Sequence, residues 1–196
     1  MATLWNLALE DQQKMRQFQQ RISDIDHWKN DPFEVIRFYK EYKGNLNKAE
    51  KIFRSMIQWR IEDDVDNILE THGEPDPLWH QYPIGVLNSM DKDGDPIYLD
   101  RAGVSDSVGL LQHFGVDAMK DYIVYTRELH ERREFWKPYE DKVGHRVRNM
   151  TVLFDLDGID TSVVRLIPLV KKTSRIVQDC YAGWGKVSKG KRRVQG

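Results

Sequence analysis

The residues best suited to chemistry stand at the end of an apolar run. Thr151–Leu156 is almost continuously apolar, which is typical of a buried parallel strand, and it leads into Asp155-Leu156-Asp157-Gly158. Strand carboxyl ends in open sheets face the ligand crevice, so two acids in this position have the types and spacing for phosphoryl transfer.

The motif resembles the nucleophile motif of haloacid-dehalogenase-type phosphatases. The resemblance implies that Asp155 would attack a phosphoryl group while Asp157 acts as acid and base, with magnesium bridging. The match is incomplete. That family has Thr after the glycine, where this sequence has Ile159. It also requires a downstream Ser or Thr, a Lys and a further acidic pair, and no second acidic pair follows Gly158. A magnesium-dependent phosphatase using Asp155 and Asp157 therefore remains the alternative interpretation. The simpler one is that both acids are turn-forming residues at a strand end.

Composition indicates a well-solvated globular chain. The chain has 196 residues, of which 40% are hydrophobic and 31% charged, and its net charge of -1 gives no reason to expect nucleic acid binding. The single cysteine, Cys180, excludes an internal disulfide, and the histidines show no metal-ligand spacing. Because neither a secretory signal nor a membrane span is visible, we expect a cytoplasmic protein. We also expect no cofactor and no metal.

The first third of the sequence predicts three helices. The first has its apolar residues on one face, and Asp31-Pro32 then begins a second helix that ends near Lys43. The spacing of apolar residues in the third helix predicts a buried face that includes Trp59. We therefore expect Trp59 in the core. The apolar faces of the first and third helices consist of Met15, Phe18, Ile22 and Ile25, and of Ala49, Ile52, Met56 and Trp59.

The spacing of the apolar residues changes after Pro75 and Pro77. These two prolines indicate a loop and a boundary between two lobes. Helices followed by the order β, α, β, α predict an α/β lobe behind a helical N-terminal lobe. The predicted elements are strands at 84–90, 96–101 and 151–156, a long helix at 117–136, an irregular segment at 138–148 and a last helix capped at 160–162. The stretch Gly183–Gly196 has five basic residues and no acid, which predicts a disordered tail. This tail either contacts anionic lipid or nucleic acid or is simply solvated.

Four segments in this order resemble one family, the CRAL-TRIO domain of cytosolic phosphatidylinositol and tocopherol/retinal transfer proteins. They are residues 35–49, Trp59-Arg60, the hairpin Met90–Arg101 and the strand end Thr151–Gly158. The resemblance implies a non-enzymatic protein that binds a hydrophobic lipid, shields its chain from water and meets a membrane transiently. In that family a paired Arg-Lys helps to hold an inositol head group. The pair here is Tyr42-Lys43, so only Lys43 carries over.

The family continues beyond the last helix with further strands, a mobile gate helix and a closing helix that form much of the lipid cavity. Here the basic tail follows instead, so the resemblance implies a truncated, incomplete sheet lobe. We expect a helical lobe at 1–75, a partial lipid-binding α/β lobe at 76–181 and a disordered tail at 182–196.

The strand 151–156 should then have an unpaired edge, with apolar surface open at Val152, Phe154, Leu166 and Ile167. Such a chain is expected to be marginally stable, to self-associate and to bind lipid weakly or not at all. A truncated interaction protein without lipid binding is the remaining alternative.

Overall fold

The computed structural model describes residues 8–72, 84–131, 133–147, 149–183 and 185–187. They form two compact units. The helical unit extends to Asp66 and also includes Arg175–Gly183, while the sheet unit takes in Asn67–Ser174 and the chain from Trp184 onward. The predicted boundaries at 75 and 181 differ from this division, because the segment 175–183 belongs to the helical unit.

Side-chain caps begin the second and third helices of the helical unit. Its helices are α1 (Leu9–Arg21), α2 (Pro32–Glu41) and α3 (Leu46–Glu62). The Asp31 carboxylate accepts hydrogen bonds from the amides of Phe33 (2.6 Å) and Glu34 (3.3 Å), which confirms the predicted start of α2. Gly44, at a φ of 73°, reverses the chain after α2, and the Asn45 side chain accepts from the Lys48 amide to begin α3.

Aromatic rings fill the core of the helical unit. The Phe53 ring meets Phe18 and Phe38 edge to face, with centroids 6.1 and 5.0 Å apart. The prediction for Trp59 is wrong: its side chain is half-buried, and its indole nitrogen donates to the Asp63 carboxylate at 2.9 Å. The buried face of α3 instead consists of Ala49, Phe53, Met56, Ile57 and Arg60.

The sheet unit has a mixed four-stranded sheet in the order β1-β2-β3-β4. Strand β1 (Ile84–Met90) runs antiparallel to β2 (Pro96–Asp100), while β2 is parallel to β3 (Met150–Phe154) and β3 is parallel to β4 (Gly185–Val187). The α/β fold class is confirmed. The remaining elements are α4 (Ile68–Thr71), α5 (Ser107–Glu131), α6 (Arg133–Val143), a 3₁₀ turn (Thr161–Leu166), α7 (Ile167–Arg175) and a π-helical turn (Ile176–Cys180).

Two expectations about the end of the chain are wrong. Strand β4 pairs with β3, with Val187 opposite Val152, so this edge of β3 is not open and Val152 is 9% exposed. The tail is not disordered from residue 182, because Ala182 is buried and Gly185–Val187 are β4. A three-residue strand is too short for a recognisable alternation, which is why the sequence did not indicate it. Residues 188–196 lie outside the described part of the chain.

The segment predicted to be irregular is also helical in part. Helix α6 continues through Pro138 to Val143, and Gly144, at a φ of 73°, follows it. Leu110, Met119 and Leu169 form a buried cluster between α5 and α7 in the sheet unit. Within the described residues, no helix combines the length and the apolar character that a bilayer span requires.

Candidate functional site

The loops that follow β2 and β3 meet at one edge of the sheet. Because these strands are parallel, their carboxyl ends lie at the same edge, where ligands bind in open α/β sheets. The Asp155 amide donates a hydrogen bond of 2.7 Å to the carbonyl of Asp100, which ties the two strand ends together. This carboxyl edge is the candidate site.

Two glycines allow the loops to touch backbone to backbone. A Cβ atom on Gly103 would lie 1.6 Å from the carbonyl oxygen of Asp157. A Cβ atom on Gly158, whose φ is 86°, would lie 2.7 Å from the carbonyl oxygen of Gly103. No side chain fits either position without moving the loops apart.

A cavity of about 280 Å³ lies between these loops. Part of its lining is polar, and the hydroxyls of Ser105 and Ser107 are 2.9 Å apart in a hydrogen bond. The other part is apolar. The polar residues of the lining include Ser105, Asp106, Ser107, Asp160 and Ser162, and its apolar residues include Val104, Val108, Ile159, Val163 and Leu166.

Two of the lining acids also cap helical turns. The Asp106 carboxylate accepts from the Gly109 amide (2.9 Å) at the start of α5, and Asp160 accepts from the Ser162 amide (2.7 Å). The hydrogen bonds from Ser162 lower the pKa of Asp160, so this carboxylate is ionised at neutral pH. The polar residues of the cavity lining therefore combine hydroxyl groups with negative charge.

The acids first considered for catalysis serve the turn after β3. The Asp155 carboxylate accepts from the Asp157 amide at 3.1 Å, and its other oxygen lies 3.6 Å from Nε of Arg101. Among the described residues, no three side chains of His, Cys, Asp or Glu converge as metal ligands. The geometry therefore fits the turn-forming interpretation.

An exposed apolar surface is continuous with the cavity. Ile159 and Val163 line the cavity and are also 40% and 41% exposed. Two residues that were expected to be exposed to solvent are exposed: Phe154 by 51% and Ile167 by 48%. The exposed apolar residues of this part of the chain are Phe154, Leu156, Ile159, Val163, Val164, Ile167 and Val170.

Lys43 lies in the helical unit, whereas the cavity is built from the sheet unit. It follows the end of α2 with a left-handed φ of 51°, and its side chain is exposed. Its predicted head-group contact stays a prediction.

Sequence reasoning missed the polar lining that precedes α5. The long helix was predicted to begin near residue 117, which is close to Gly115, the point where α5 is interrupted at a φ of 81°. The available signal was Ser105-Asp106-Ser107, because residues of these types favour helix N-termini. Recognising it would have placed a second polar loop beside the one after β3.

Comparison with known proteins gives a consistent result. No family model matches the chain. The SEC14 cytosolic factor of Kluyveromyces lactis is 27% identical over 182 residues, which is 90% of this chain and 59% of that protein. Protein real-time of Aedes aegypti is 29% identical over 89% of this chain and 27% of its own length. The phosphatidylinositol/phosphatidylcholine transfer protein SFH7 of Arabidopsis thaliana is 30% identical over 64% of this chain and 23% of its own length.

The chain thus spans between 23% and 59% of the length of these relatives. All three are CRAL-TRIO proteins, the family that the four sequence segments resemble, and the sheet unit has the α/β fold expected of it. The chain is therefore similar to CRAL-TRIO proteins over 64% to 90% of its length, which supports a CRAL-TRIO family.

Proposed function

We propose that the chain binds an amphipathic lipid of the phosphatidylinositol or phosphatidylcholine class at the carboxyl edge of the sheet. The observation that carries this proposal is the continuity between a partly polar cavity and an exposed apolar surface, which share Ile159 and Val163. A ligand with a polar and an apolar end matches both parts at once. The name of the Arabidopsis relative, a phosphatidylinositol/phosphatidylcholine transfer protein, supports the class of lipid.

The volume of the cavity indicates which part of such a lipid it could hold. A cavity of about 280 Å³ is at the lower limit of small-molecule pockets, which span roughly 300–1,000 Å³. It suits a head group and not an acyl chain. The chain would lie along the apolar surface, where each methylene removed from water contributes about 0.8 kcal/mol.

The role we propose is lipid binding without catalysis in the cytoplasm, with transient association with membranes. The name of the Kluyveromyces relative, a cytosolic factor, supports the location. Lys43, in the helical unit, stays a separate proposal: contact with an anionic head group, supported by the resemblance and by its exposure. In the absence of lipid, the same apolar surface would favour self-association, which size-exclusion chromatography over a range of concentrations would measure.

A titration with fluorescent phosphatidylcholine tests the proposal. Gly103→Ala should abolish most of the binding, because its new Cβ would separate the loops that form the cavity. Gly185→Ala is the matched control, since among the described residues a Cβ there meets Val152 alone, at an ordinary 3.8 Å. Equal binding by both variants, with both folded by circular dichroism, would show that the lipid lies elsewhere or is not bound.

A further inference from the structure

The charged residues of the segment 161–174 in the sheet unit are all basic. It contains Arg165, Lys171 and Lys172 and no acidic residue. Lys172 forms an ion pair with Asp117 on α5, whereas Arg165 and Lys171 have exposed side chains. The rest of the chain is slightly acidic, so this run differs from its surroundings.

Opposite sides of this segment have different neighbours. Leu169 and Thr173 are buried on the side that packs against α5, and Leu166 lines the cavity. On α7, the exposed residues Ile167 and Val170 are three apart and lie on one face. Val163 and Val164 of the preceding 3₁₀ turn are also exposed, Val164 to 60%. A helical surface with an apolar stripe and basic neighbours is typical of helices that lie in a membrane interface.

We infer that this surface docks on an anionic lipid bilayer. The docking face consists of Val163, Val164, Ile167 and Val170 together with Arg165 and Lys171. The valines and isoleucine enter the head-group region, and the two basic side chains contact acidic lipid head groups. A neutral protein partner would explain the apolar stripe but not the exclusive positive charge of the segment.

The position of the docking face deepens the proposed function, on which this inference rests. Val163 belongs to both the docking face and the cavity lining, so docking places the mouth of the cavity at a source of lipid. Strand β4 is parallel to β3 and therefore ends at the same edge.

Vesicle flotation with the full chain tests the inference. The probes are phosphatidylcholine vesicles and vesicles of phosphatidylcholine and phosphatidylserine at about three to one. The chain should bind the serine-lipid vesicles more tightly, and salt should weaken that preference. Lys171→Gln should weaken binding about fivefold on the acidic vesicles alone. Val164→Ser and Val170→Ser should each weaken binding about fivefold on both kinds of vesicle.

Two exposed residues of α3 provide matched controls: Lys51→Gln and Ile61→Ser should leave flotation unchanged. The inference is overturned if Val170→Ser behaves like Ile61→Ser, or if Lys171→Gln behaves like Lys51→Gln. It is also overturned if the chain binds heparin as tightly as the acidic vesicles and both valine variants still float normally, because that result indicates simple polyanion binding.

The fluorescent-lipid titration separates this inference from the proposed function. Uptake of phosphatidylcholine without flotation overturns the docking face and leaves the lipid site standing. Flotation with the expected variant pattern but without lipid uptake overturns the lipid site and supports the docking face.

Discussion

The guanidinium group of Arg37 donates a hydrogen bond of 2.9 Å to the carbonyl oxygen of Ala182, 145 positions further along the chain. Both residues are buried in the helical unit. The same guanidinium pairs with Glu34 at 2.7 Å, and Glu34 lies 3.7 Å from the buried amine of Lys29. A buried charge network on α2 thus holds the segment that follows the π-helical turn.

Removing one charge from this network should destabilise the protein strongly. Arg37→Met is expected to lower the free energy of unfolding by about 3–5 kcal/mol, because it removes from a buried site both the closer ion pair of Glu34 and the hydrogen bond to Ala182. Urea denaturation measures this value. Arg54→Met is the control, since the ion pair of Arg54 with Asp24 is largely exposed and should contribute about 0–1 kcal/mol. Equal losses in the two variants would contradict the assigned role of Arg37.

Cys180 reports whether the end of the helical unit stays docked. Burial raises the pKa of its thiol to about 12, so little thiolate exists at neutral pH and alkylation should be slow in the native protein. In Arg37→Met, local opening should accelerate labelling by iodoacetamide about tenfold or more, under conditions where the variant remains folded. An unchanged labelling rate in a destabilised but folded variant would show that Arg37 does not hold this segment.

The core of the helical unit depends on Phe53 and not on Trp59. Phe53→Ala should lower the free energy of unfolding by about 3–5 kcal/mol, because it removes a fully buried ring packed on two others. Trp59→Ala should have a clearly smaller effect, since that ring is half-buried. Thermal or urea unfolding of both variants gives the comparison, and the reverse order would show that the core is wrongly placed.

His130 should make the sheet unit sensitive to mild acid. Burial, assisted by the charge of Arg127, lowers the pKa of His130 from 6.5 to about 4, so the folded state holds it neutral. The unfolded chain binds a proton at higher pH. Stability is therefore lost as pH falls from about 6.5 to about 4, by up to about 3 kcal/mol.

His130→Phe keeps an aromatic ring beside Tyr98 and should remove this part of the pH dependence. The exposed residue His113 provides the control substitution, His113→Phe, which should retain it. The readout is the free energy of unfolding across this pH range. If the pH profile of His130→Phe is as steep as that of the wild type, His130 is not the responsible group.

The parts of the fold that follow from local patterns were predictable. Asp31 caps α2 as its spacing indicates, and the hairpin at Asp91–Asp95 separates β1 from β2. The parts that depend on distant residues were not. Strand β4 is recognisable only by its pairing with β3, and the burial of Ala182 depends on a hydrogen bond from α2.

The same distinction applies to the candidate site. Phe154 and Ile167 were expected to be exposed because the resemblance left them without cover, and they are. The cavity was not foreseen, because its two walls are loops separated by about fifty residues that meet through Gly103 and Gly158. Trp59 was misplaced because neighbouring helix positions differ by about 100° in direction, so that Arg60 is buried and Trp59 is only half-buried.

Native mass spectrometry tests the central claim most directly, since it counts the lipid molecules bound to the folded chain. The chain is incubated with vesicles of phosphatidylcholine and phosphatidylinositol, separated from them and sprayed under non-denaturing conditions. The account predicts a species with one phospholipid per chain in the wild type, retained in Gly185→Ala and lost in Gly103→Ala. A folded wild-type chain that carries no phospholipid after this incubation would contradict it.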